Sequence, residues 1–309
     1  VVVYGQAIRQ TESIELFQKF INKLNIPAVS ARMAIDILPY NHNLNFGLGG
    51  MRGHKYSREI LINSDLIIAL GTSYTHAFAG NNYNYYRNKN VIMVNIDKNE
   101  MIKPGFVNFG ILCDINYFLD SINKKLSTQK NKIFFKEWVD YCSKLKKTQQ
   151  IVTSSMKKNP INSYYMIEII NEISKSNYIF VNDAGSANYV CSQNLKFKKG
   201  QREITSGAFY SMGLALPLAI GASVSNKNNT TICITGDGSI ELNIQELKTM
   251  VSNRLNIKLI IINNGGYASI RKSQDDMTGG RYTDDEQILN FKKIASAFNI
   301  KFQIISNFK

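Results

Sequence analysis

The sequence predicts an α/β protein made of two doubly wound domains, each a three-layer unit with a parallel sheet between helices. Short apolar runs alternate with segments of helical periodicity along most of the chain, which is the pattern of repeated strand–helix–strand units. A length of 309 residues is typical of two domains. A lysine-rich helical stretch interrupts the alternation, so we predict a first domain at 1–127, a helical connector at 128–160 and a second domain at 161–309.

The first half contains four runs of apolar and β-branched residues that we interpret as strands: Val1–Tyr4, Ala28–Val29, Leu66–Leu70 and Val91–Ile96. The predicted helices between them are Glu12–Leu24 and Ser57–Asn63. In the first of these helices, apolar side chains recur every three or four residues and so form one buried face. The segment Leu119–Lys158 is also helical in pattern and ends at Pro160, which marks the connector.

The second half repeats the alternation. The predicted helices are Tyr164–Lys175 with Ser163 as N-cap, Ser211–Ser225, Ile240–Val251 and Asp285–Phe298. The predicted strands are Tyr178–Val181, Thr231–Thr235, Lys258–Ile262 and Lys301–Ile305.

Composition narrows the range of partners. No run approaches the roughly 20 apolar residues of a membrane helix, and no signal peptide is visible. The net charge is +14, but only nine of 37 basic residues are arginine and the lysines are dispersed, so we expect neither nucleic acid nor membrane as a partner. The four cysteines are far apart, which argues against disulfides or zinc and favours the cytoplasm.

The motif with chemical content is Thr235-Gly236-Asp237-Gly238-Ser239, which follows an apolar strand and opens a helix. Asn263-Asn264 ends the next predicted strand. Adjacent parallel strands end at the same edge of a sheet, so a carboxylate and an amide oxygen can share a hard cation such as Mg²⁺ there. Free N–H groups at Gly238 and Ser239 suit a diphosphate, and Gly265-Gly266 permits a sharp turn that brings a carbonyl to the metal.

This spacing resembles the GDG…NN motif of thiamine diphosphate (ThDP) enzymes. Gly236–Leu247 and Asn263–Gln274 resemble the acetolactate synthase group of that superfamily, as do Ser211–Ala222 and Asp183–Ser186. The resemblance implies that the Asp237 and Asn264 side chains and the Gly266 carbonyl bind Mg²⁺. The cofactor-binding residues that it implies are Gly185, Ser186, Met212, Gly236, Asp237, Gly238, Ser239, Asn264, Gly266 and Tyr267.

Two of these assignments keep an alternative. Met212 matches the apolar residue that supports ThDP in its bent shape, but it is also consistent with core packing of a helix of small residues. Ser186 matches the loop beside the diphosphate, but it is also consistent with an ordinary turn.

The first half resembles the central domain of the same group in Ile35–Pro39, Gly47–Gly53 and Ser64–Thr72. We do not interpret the glycine cluster as a dinucleotide fingerprint, because no strand is predicted before it. Some members hold FAD in this domain, and Arg9 and Asp97 lie where flavin contacts are expected. However, Tyr74 stands where the group often has arginine, and Asp97 also fits a turn at a strand end, so FAD is left open.

The resemblance predicts a ThDP- and Mg²⁺-dependent enzyme that decarboxylates a 2-oxo acid such as pyruvate and ligates the two-carbon unit to an acceptor carbonyl. The resemblance also implies a homodimer or homotetramer with ThDP bound between subunits. It places the activating glutamate in a first domain that has no counterpart in this sequence, so we expect this chain to be inactive alone. In the synthases of this group, a tryptophan near the position of Ser273 usually restricts the acceptor. The smaller Ser273 therefore favours a related carboligase that uses a different or larger acceptor. A simple 2-oxo acid decarboxylase and a non-catalytic binding or assembly module are the alternatives.

Overall fold

The computed structural model describes residues 1–79, 86, 88–102, 105–129, 135–207, 209–282 and 289–307. The chain divides into two compact units, Val1–Ile151 and Val152–Lys309. Each unit has one sheet in which every strand pairing is parallel, with helices packed on it. The predicted α/β class is therefore confirmed.

Unit 1 contains a six-stranded sheet. Its strands are β1 (Val2–Tyr4), β2 (Ala28–Ser30), β3 (Asn45–Leu48), β4 (Leu66–Leu70), β5 (Asn90–Asn95) and β6 (Phe109–Leu112). Its helices are α1 (Ala7–Gln10), α2 (Ile14–Leu24), α3 (Lys55–Asn63), α4 (His76–Ala79), α5 (Lys98–Ile102), α6 (Ile115–Thr128) and α7 (Lys136–Thr148), with a 3-10 turn at Arg32–Ala34. The strand order is β3-β2-β1-β4-β5-β6, which is the doubly wound order with its switch point between β1 and β4.

Side chains alternate between the two faces of a sheet along each strand, and a separate core covers each face of this sheet. Val3 and Ala69 belong to a core that includes residues of α3 and α7. Val2 and Leu70 belong to a separate core that includes residues of α2 and α6. Unit 1 therefore has three layers, and α7, which lies inside the predicted connector, is one of the helices that cover the sheet.

Unit 2 contains a four-stranded sheet in the order β10-β9-β7-β8. Its strands are β7 (Tyr178–Asn182), β8 (Arg202–Ile204), β9 (Thr230–Gly236) and β10 (Ile257–Ile262). Its helices are α8 (Ser163–Ile173), α9 (Gly185–Asn194), α10 (Ala215–Ser225), α11 (Asp237–Ile240), α12 (Leu247–Ser252), α13 (Ala268–Met277) and α14 (Phe291–Ala297), with 3-10 segments at Ser154–Lys157 and Glu241–Glu246.

The central strands of unit 2 are β7 and β9. Val181 and Cys233 face a core that includes residues of α10 and α12. Phe180 points to the opposite side and packs edge-on against Phe197, with ring centroids 6.0 Å apart. The predicted interpretation of Cys233 as a core residue is confirmed, since its side chain is fully buried.

Two predicted helices of unit 2 have different bounds in the structure. The predicted helix Ile240–Val251 is divided into α11, a 3-10 segment and α12, because Asn243 leaves helical geometry (φ −138°, ψ 31°) and donates to the Gly213 carbonyl. The predicted helix at Ser211–Ser225 begins only at Ala215, because Gly213 has φ +78° and its N–H group donates to Asp183.

Three further expectations need correction or qualification. Helix α8 begins at Ser163 itself, and its N-cap is Asn162, whose extended backbone lets its side chain accept from the N–H groups of the first turn. The predicted strand Lys301–Ile305 is wrong: those residues are exposed and unpaired with any described strand, since β propensity alone does not form a strand. For the predicted helix Asp285–Phe298, the structure gives α14, and residues 283–288 lie outside the described part of the chain.

Candidate active site at the carboxyl edge of the unit 2 sheet

The carboxyl ends of β9 and β10 lie side by side. Gly236, the last residue of β9, is in register with Ile262, the last residue of β10. The chain therefore places Asp237 and the pair Asn263-Asn264 at the same edge of the sheet, as the sequence predicts. Asp237 is 2% exposed, so its carboxylate is removed from bulk water.

The Asp237 carboxylate is bound by the turn that follows β10. Its Oδ2 accepts from the N–H groups of Asn264, Gly265 and Gly266 at 3.1, 2.9 and 2.8 Å. Its Oδ1 accepts from the Gly238 N–H at 3.0 Å. Hydrogen bonds to an ionised acceptor are among the stronger ones in proteins, so Asp237 fixes the turn to the start of α11. One carboxylate oxygen thus holds the turn, and the other faces the Asn264 side chain.

The amide oxygen of Asn264 lies among other oxygens. Asn264 Oδ1 is 2.8 Å from the Gly266 carbonyl oxygen and 3.2 Å from Asp237 Oδ1, while its Nδ2 donates to Ser186 Oγ at 3.4 Å. Three acceptors this close repel one another unless a cation lies between them. Turning the amide by 180° gives the other solution, in which Nδ2 donates to both oxygens.

These separations suit a hard cation. Mg²⁺ binds oxygens at about 2.0–2.1 Å in octahedral geometry, which places neighbouring ligand oxygens about 3 Å apart. The two oxygen–oxygen separations, 2.8 and 3.2 Å, lie on either side of that value. The set of one carboxylate, one amide and one carbonyl therefore fits an Mg²⁺ ion that completes its shell with phosphate or water.

The start of α11 differs in one respect from expectation. The N–H group of Gly238 was predicted to be free for a diphosphate, but it donates to Asp237 Oδ1, the nearest acceptor. A side chain at Gly238 would meet the Tyr267 ring at 2.7 Å, so Tyr267 lies directly against this glycine. Ser239, the next predicted diphosphate contact, is buried at the same helix start.

Four other predicted cofactor-binding residues lie near these strand ends: Gly185 and Ser186 at the start of α9, Met212 on the loop before α10, and Gly236 at the end of β9. Gly185, at φ +63°, and Ser186 open α9, and Ser186 Oγ is 3.5 Å from Ser269 Oγ at the start of α13. Apart from its two chain neighbours, no heavy atom of the described residues lies within 4 Å of the position that a Gly236 side chain would take, so open space adjoins the strand end there. Met212 is half-buried and immediately precedes Gly213.

Met212 is brought close to the site through its neighbour. A side chain at Gly213 would lie 3.1 Å from the Ser239 carbonyl oxygen, and the Gly213 carbonyl accepts from Asn243. The structure thus brings the loops of Gly185, Met212, Asp237 and Asn264 to one edge of the sheet. The roles predicted for Met212 and Ser186 stay predictions.

Asp183 was quoted in the sequence motif but was not assigned a role. It is 2% exposed, and its Oδ1 accepts from the N–H groups of Ala184 and Gly213 at 2.8 and 2.9 Å. Its Oδ2 accepts from Thr235 Oγ1 at 2.9 Å and the Ala215 N–H at 3.3 Å. Asp183 therefore ties the end of β7 to the end of β9 and to the loop that carries Met212. Its position two residues after the predicted strand Tyr178–Val181 was the available signal.

The thiol nearest to this carboxylate is inert. Burial raises the pKa of the Cys233 thiol, and the charge of Asp183 raises it further. A thiol that stays protonated is a poor nucleophile. We therefore assign Cys233 to the core and not to the chemistry of the site.

The candidate flavin residues of unit 1 are engaged within the fold. Arg9 donates to Asp36 Oδ1 at 2.8 Å, and Asp97 Oδ1 accepts from the Asn99 N–H at 2.8 Å, in the turn that the alternative interpretation predicted. Tyr74 is buried, and its ring packs at 4.7 to 4.9 Å from those of Tyr86 and Phe106. These residues therefore give no support to a flavin site.

The glycine cluster of unit 1 needs a correction. The expectation that no strand precedes it is wrong, because β3 (Asn45–Leu48) leads directly into Gly49-Gly50. The strand was missed because it is short and contains Gly47 at φ +70°. However, a side chain at Gly49 would lie 2.8 Å from Val29 Cγ1 and 2.9 Å from Phe78 Cε2, so packing explains this glycine without a ligand.

Other kinds of site receive no support from the residues that the structure describes. Among them, no group of three or more His, Cys, Asp or Glu side chains is arranged to hold a metal ion. None of the described helices has both the length and the apolar character required to span a bilayer.

The fold and this edge define a class of protein. Parallel α/β sheets that present polar residues beyond adjacent strand ends bind ligands, commonly phosphorylated cofactors, at that edge. Residues 1–122 match the family described as thiamine pyrophosphate enzyme, central domain, and residues 183–309 match thiamine pyrophosphate enzyme, C-terminal TPP binding domain. The chain belongs to the thiamine pyrophosphate (ThDP) enzyme family.

Acetolactate synthase large subunits are among the proteins that this chain resembles. That of Lactococcus lactis is 28% identical over 309 residues, which is 99% of this chain and 53% of the relative. Isozyme 1 of Escherichia coli is 27% identical and the Porphyra purpurea protein 29%, covering 94% and 98% of this chain and 51% of each relative. The chain spans about half the length of these relatives.

Proposed function

We propose that this chain is part of a ThDP- and Mg²⁺-dependent enzyme of the acetolactate synthase type. It would act on a 2-oxo acid, with pyruvate as the first candidate, and ligate the two-carbon unit to an acceptor carbonyl. ThDP, when bound, supplies the electron sink for decarboxylation, while the protein supplies binding and orientation. The observation that carries the proposal is the convergence of the Asp237 carboxylate, the Asn264 amide and the Gly266 carbonyl at one sheet edge, in a family that binds thiamine pyrophosphate.

We assign the binding of the metal and the lining of the cofactor site to different residues of this chain. Asp237 Oδ1, Asn264 Oδ1 and the Gly266 carbonyl would hold Mg²⁺, and the metal would in turn hold the diphosphate. Gly185, Ser186, Gly236, Gly238 and Ser239 would line the space around it, with Met212 and Tyr267 as apolar walls. The open space beside Gly236 is consistent with this arrangement.

The two asparagines after β10 are expected to differ in importance. Asn264→Ala removes the amide that lies 3.2 Å from Asp237 Oδ1, whereas Asn263 is exposed and its Oδ1 accepts from the Gly265 N–H at 3.4 Å. We expect Asn264→Ala to weaken Mg²⁺-dependent ThDP binding about tenfold or more, and Asn263→Ala to change it less than threefold. Titration calorimetry with ThDP at fixed Mg²⁺ measures both, and equal losses would contradict the assignment.

The proposal also concerns the size of the acceptor substrate. Ser273 lies exposed on α13, and its Oγ is 3.6 Å from Met277 Sδ. A small side chain at a position where the synthases commonly have tryptophan favours a larger acceptor than pyruvate. A simple decarboxylase remains the alternative. Products formed from pyruvate with and without added aldehyde or 2-oxo acid acceptors, by the gene product that contains this chain, distinguish the two reactions.

We also propose that the 309-residue chain has no carboligase activity by itself and works within a homodimer or homotetramer. Glu241 and Glu246 lie on the 3-10 segment that follows α11, the helix that begins at Asp237, so we assign neither of them to the group that would activate the cofactor. Loss of a positioned acid–base group and of orientation costs many powers of ten in rate.

The expected result is therefore acetoin and acetolactate formation from pyruvate at the no-enzyme level, with ThDP and Mg²⁺ in excess. Turnover above that level by the purified chain would contradict the proposal. Binding of ThDP by the same sample, measured separately, shows whether the diphosphate site has formed.

A further inference from the structure

The turn that carries the metal-binding oxygens is held from two sides by opposite charges. On one side, the N–H groups of Asn264, Gly265 and Gly266 converge on Asp237 Oδ2. On the other side, the Arg271 guanidinium reaches back from the first turn of α13. Its NH2 group donates to the Asn264 carbonyl at 2.9 Å, and its NH1 group donates to the Gly265 carbonyl.

Such support matters because the turn is intrinsically soft. Gly265 and Gly266 both have positive φ, +81° and +90°, where glycine is stable but has great conformational freedom. Without external contacts their peptide planes can rotate, and each rotation would turn a carbonyl oxygen to a new direction. The carboxylate and the guanidinium instead fix successive peptide units by their N–H and C=O ends.

The pattern of carbonyls shows what Arg271 selects. The carbonyls of Asn264 and Gly265 point to the guanidinium, whereas the Gly266 carbonyl oxygen lies 2.8 Å from the end of the Asn264 amide and accepts from the Ala268 N–H at 3.0 Å. Arg271 thus holds two carbonyls away from the oxygen cluster and leaves the third at it. A metal site depends on such preorganisation of its ligands.

We propose that Arg271 is a positioning residue for the metal site: it fixes the Asn264–Gly266 turn so that the Asn264 amide and the Gly266 carbonyl meet Asp237 in cation-binding geometry. This inference rests on the proposed Mg²⁺ site. In this role Arg271 contacts neither the metal nor the cofactor. Its removal is expected to weaken cation binding, which is the opposite of what the loss of a nearby positive charge does by itself.

The direction of the change in cation affinity distinguishes a positioning role of Arg271 from a purely electrostatic one. Removing a positive charge near a cation site strengthens cation binding by Coulomb's law. If Arg271 positions the ligands, its removal weakens binding instead. Lys272 is a matched control, because it is the next residue on α13 and carries the same charge, but its side chain is 77% exposed and pairs with Asp276 at 2.9 Å.

The experiment measures Mn²⁺ affinity of the full 309-residue chain in the presence of ThDP, by electron paramagnetic resonance, for wild type, Arg271→Met, Arg271→Lys and Lys272→Met. We expect about a tenfold loss for Arg271→Met, partial recovery for Arg271→Lys because lysine reaches one carbonyl, and a change under twofold for Lys272→Met. The metal-free unfolding midpoint of each variant is measured alongside.

Unchanged or tighter Mn²⁺ binding by Arg271→Met, with wild type binding normally, would overturn the positioning role and leave the proposed function intact. No Mn²⁺ binding by folded wild-type chain would overturn the metal site itself and this inference with it. If Arg271→Met does not fold, Arg271→Lys decides: a loss of Mn²⁺ affinity at an unchanged unfolding midpoint supports the proposal, and unaltered affinity overturns it.

Discussion

Replacing Asp237 by asparagine is expected to lower the affinity for ThDP in the presence of Mg²⁺ by at least about 100-fold. Changing a residue that only orients a metal ligand typically costs 10–100-fold in metal affinity, so loss of a charged ligand should cost at least the upper value. The substitution also leaves the metal beside a polyanionic diphosphate with no protein carboxylate in the oxygen cluster.

Asparagine is more informative than alanine at this position, because Asp237 has two structural tasks. Its Oδ2 accepts three N–H groups of the turn, and an amide oxygen can still accept from them. Its Oδ1 accepts from the Gly238 N–H group and faces the Asn264 side chain, and there the variant presents an NH₂ group, which gives up the bond to Gly238 and repels a cation. Asp237→Asn therefore removes the metal ligand and keeps much of the turn.

The measurement is titration calorimetry with ThDP at saturating Mg²⁺, together with the unfolding midpoint without cofactor. Asp276→Asn is the matched control, since it removes an exposed carboxylate of the same unit. ThDP affinity close to that of wild type in Asp237→Asn would remove Asp237 from the metal site, whatever the effect on stability.

The sequence was sufficient to predict that Asp237 and the pair Asn263-Asn264 lie at one edge of the sheet, because that juxtaposition follows from topology. Parallel strands that end in register bring their following residues together, and Gly236 is in register with Ile262. Apolar periodicity likewise predicted the long helices and the central strands, because the spacing of apolar residues along each element determines which of its faces is buried. The predicted juxtaposition of Asp237 and Asn264 needs no knowledge of side-chain rotamers.

What the sequence did not reveal depends on contacts between distant segments. The division of the predicted helix Ile240–Val251 follows from a hydrogen bond between Asn243 and Gly213, 30 residues away. The engagement of Arg271 with the turn requires the rotamer of a long side chain. Lys301–Ile305 has strand-like composition, but pairing with a neighbouring strand is a tertiary event that composition does not determine.

Asp183 is the clearest example of such a distant contact, and its removal is expected to be the most destabilising change in unit 2. Its four donors come from Ala184, from Gly213 and Ala215, and from Thr235 on β9, up to 52 residues away in sequence. All of these bonds are buried. A buried donor left without an acceptor costs about 1–3 kcal/mol.

We therefore expect Asp183→Ala to lower the free energy of unfolding by about 4 kcal/mol or more, a large part of the 5–15 kcal/mol typical of a domain. Asp183→Asn keeps one acceptor oxygen and should lose about 1–3 kcal/mol. Urea denaturation gives both values, and hydrogen exchange should show lost protection in β7 and β9. Asp276→Ala, at an exposed carboxylate, should stay within about 0.5 kcal/mol. A similarly small effect for Asp183→Ala would contradict the assigned role, because it would mean that the donors at the ends of β7 and β9 find other acceptors, as the Thr235 hydroxyl can at the Gly236 carbonyl.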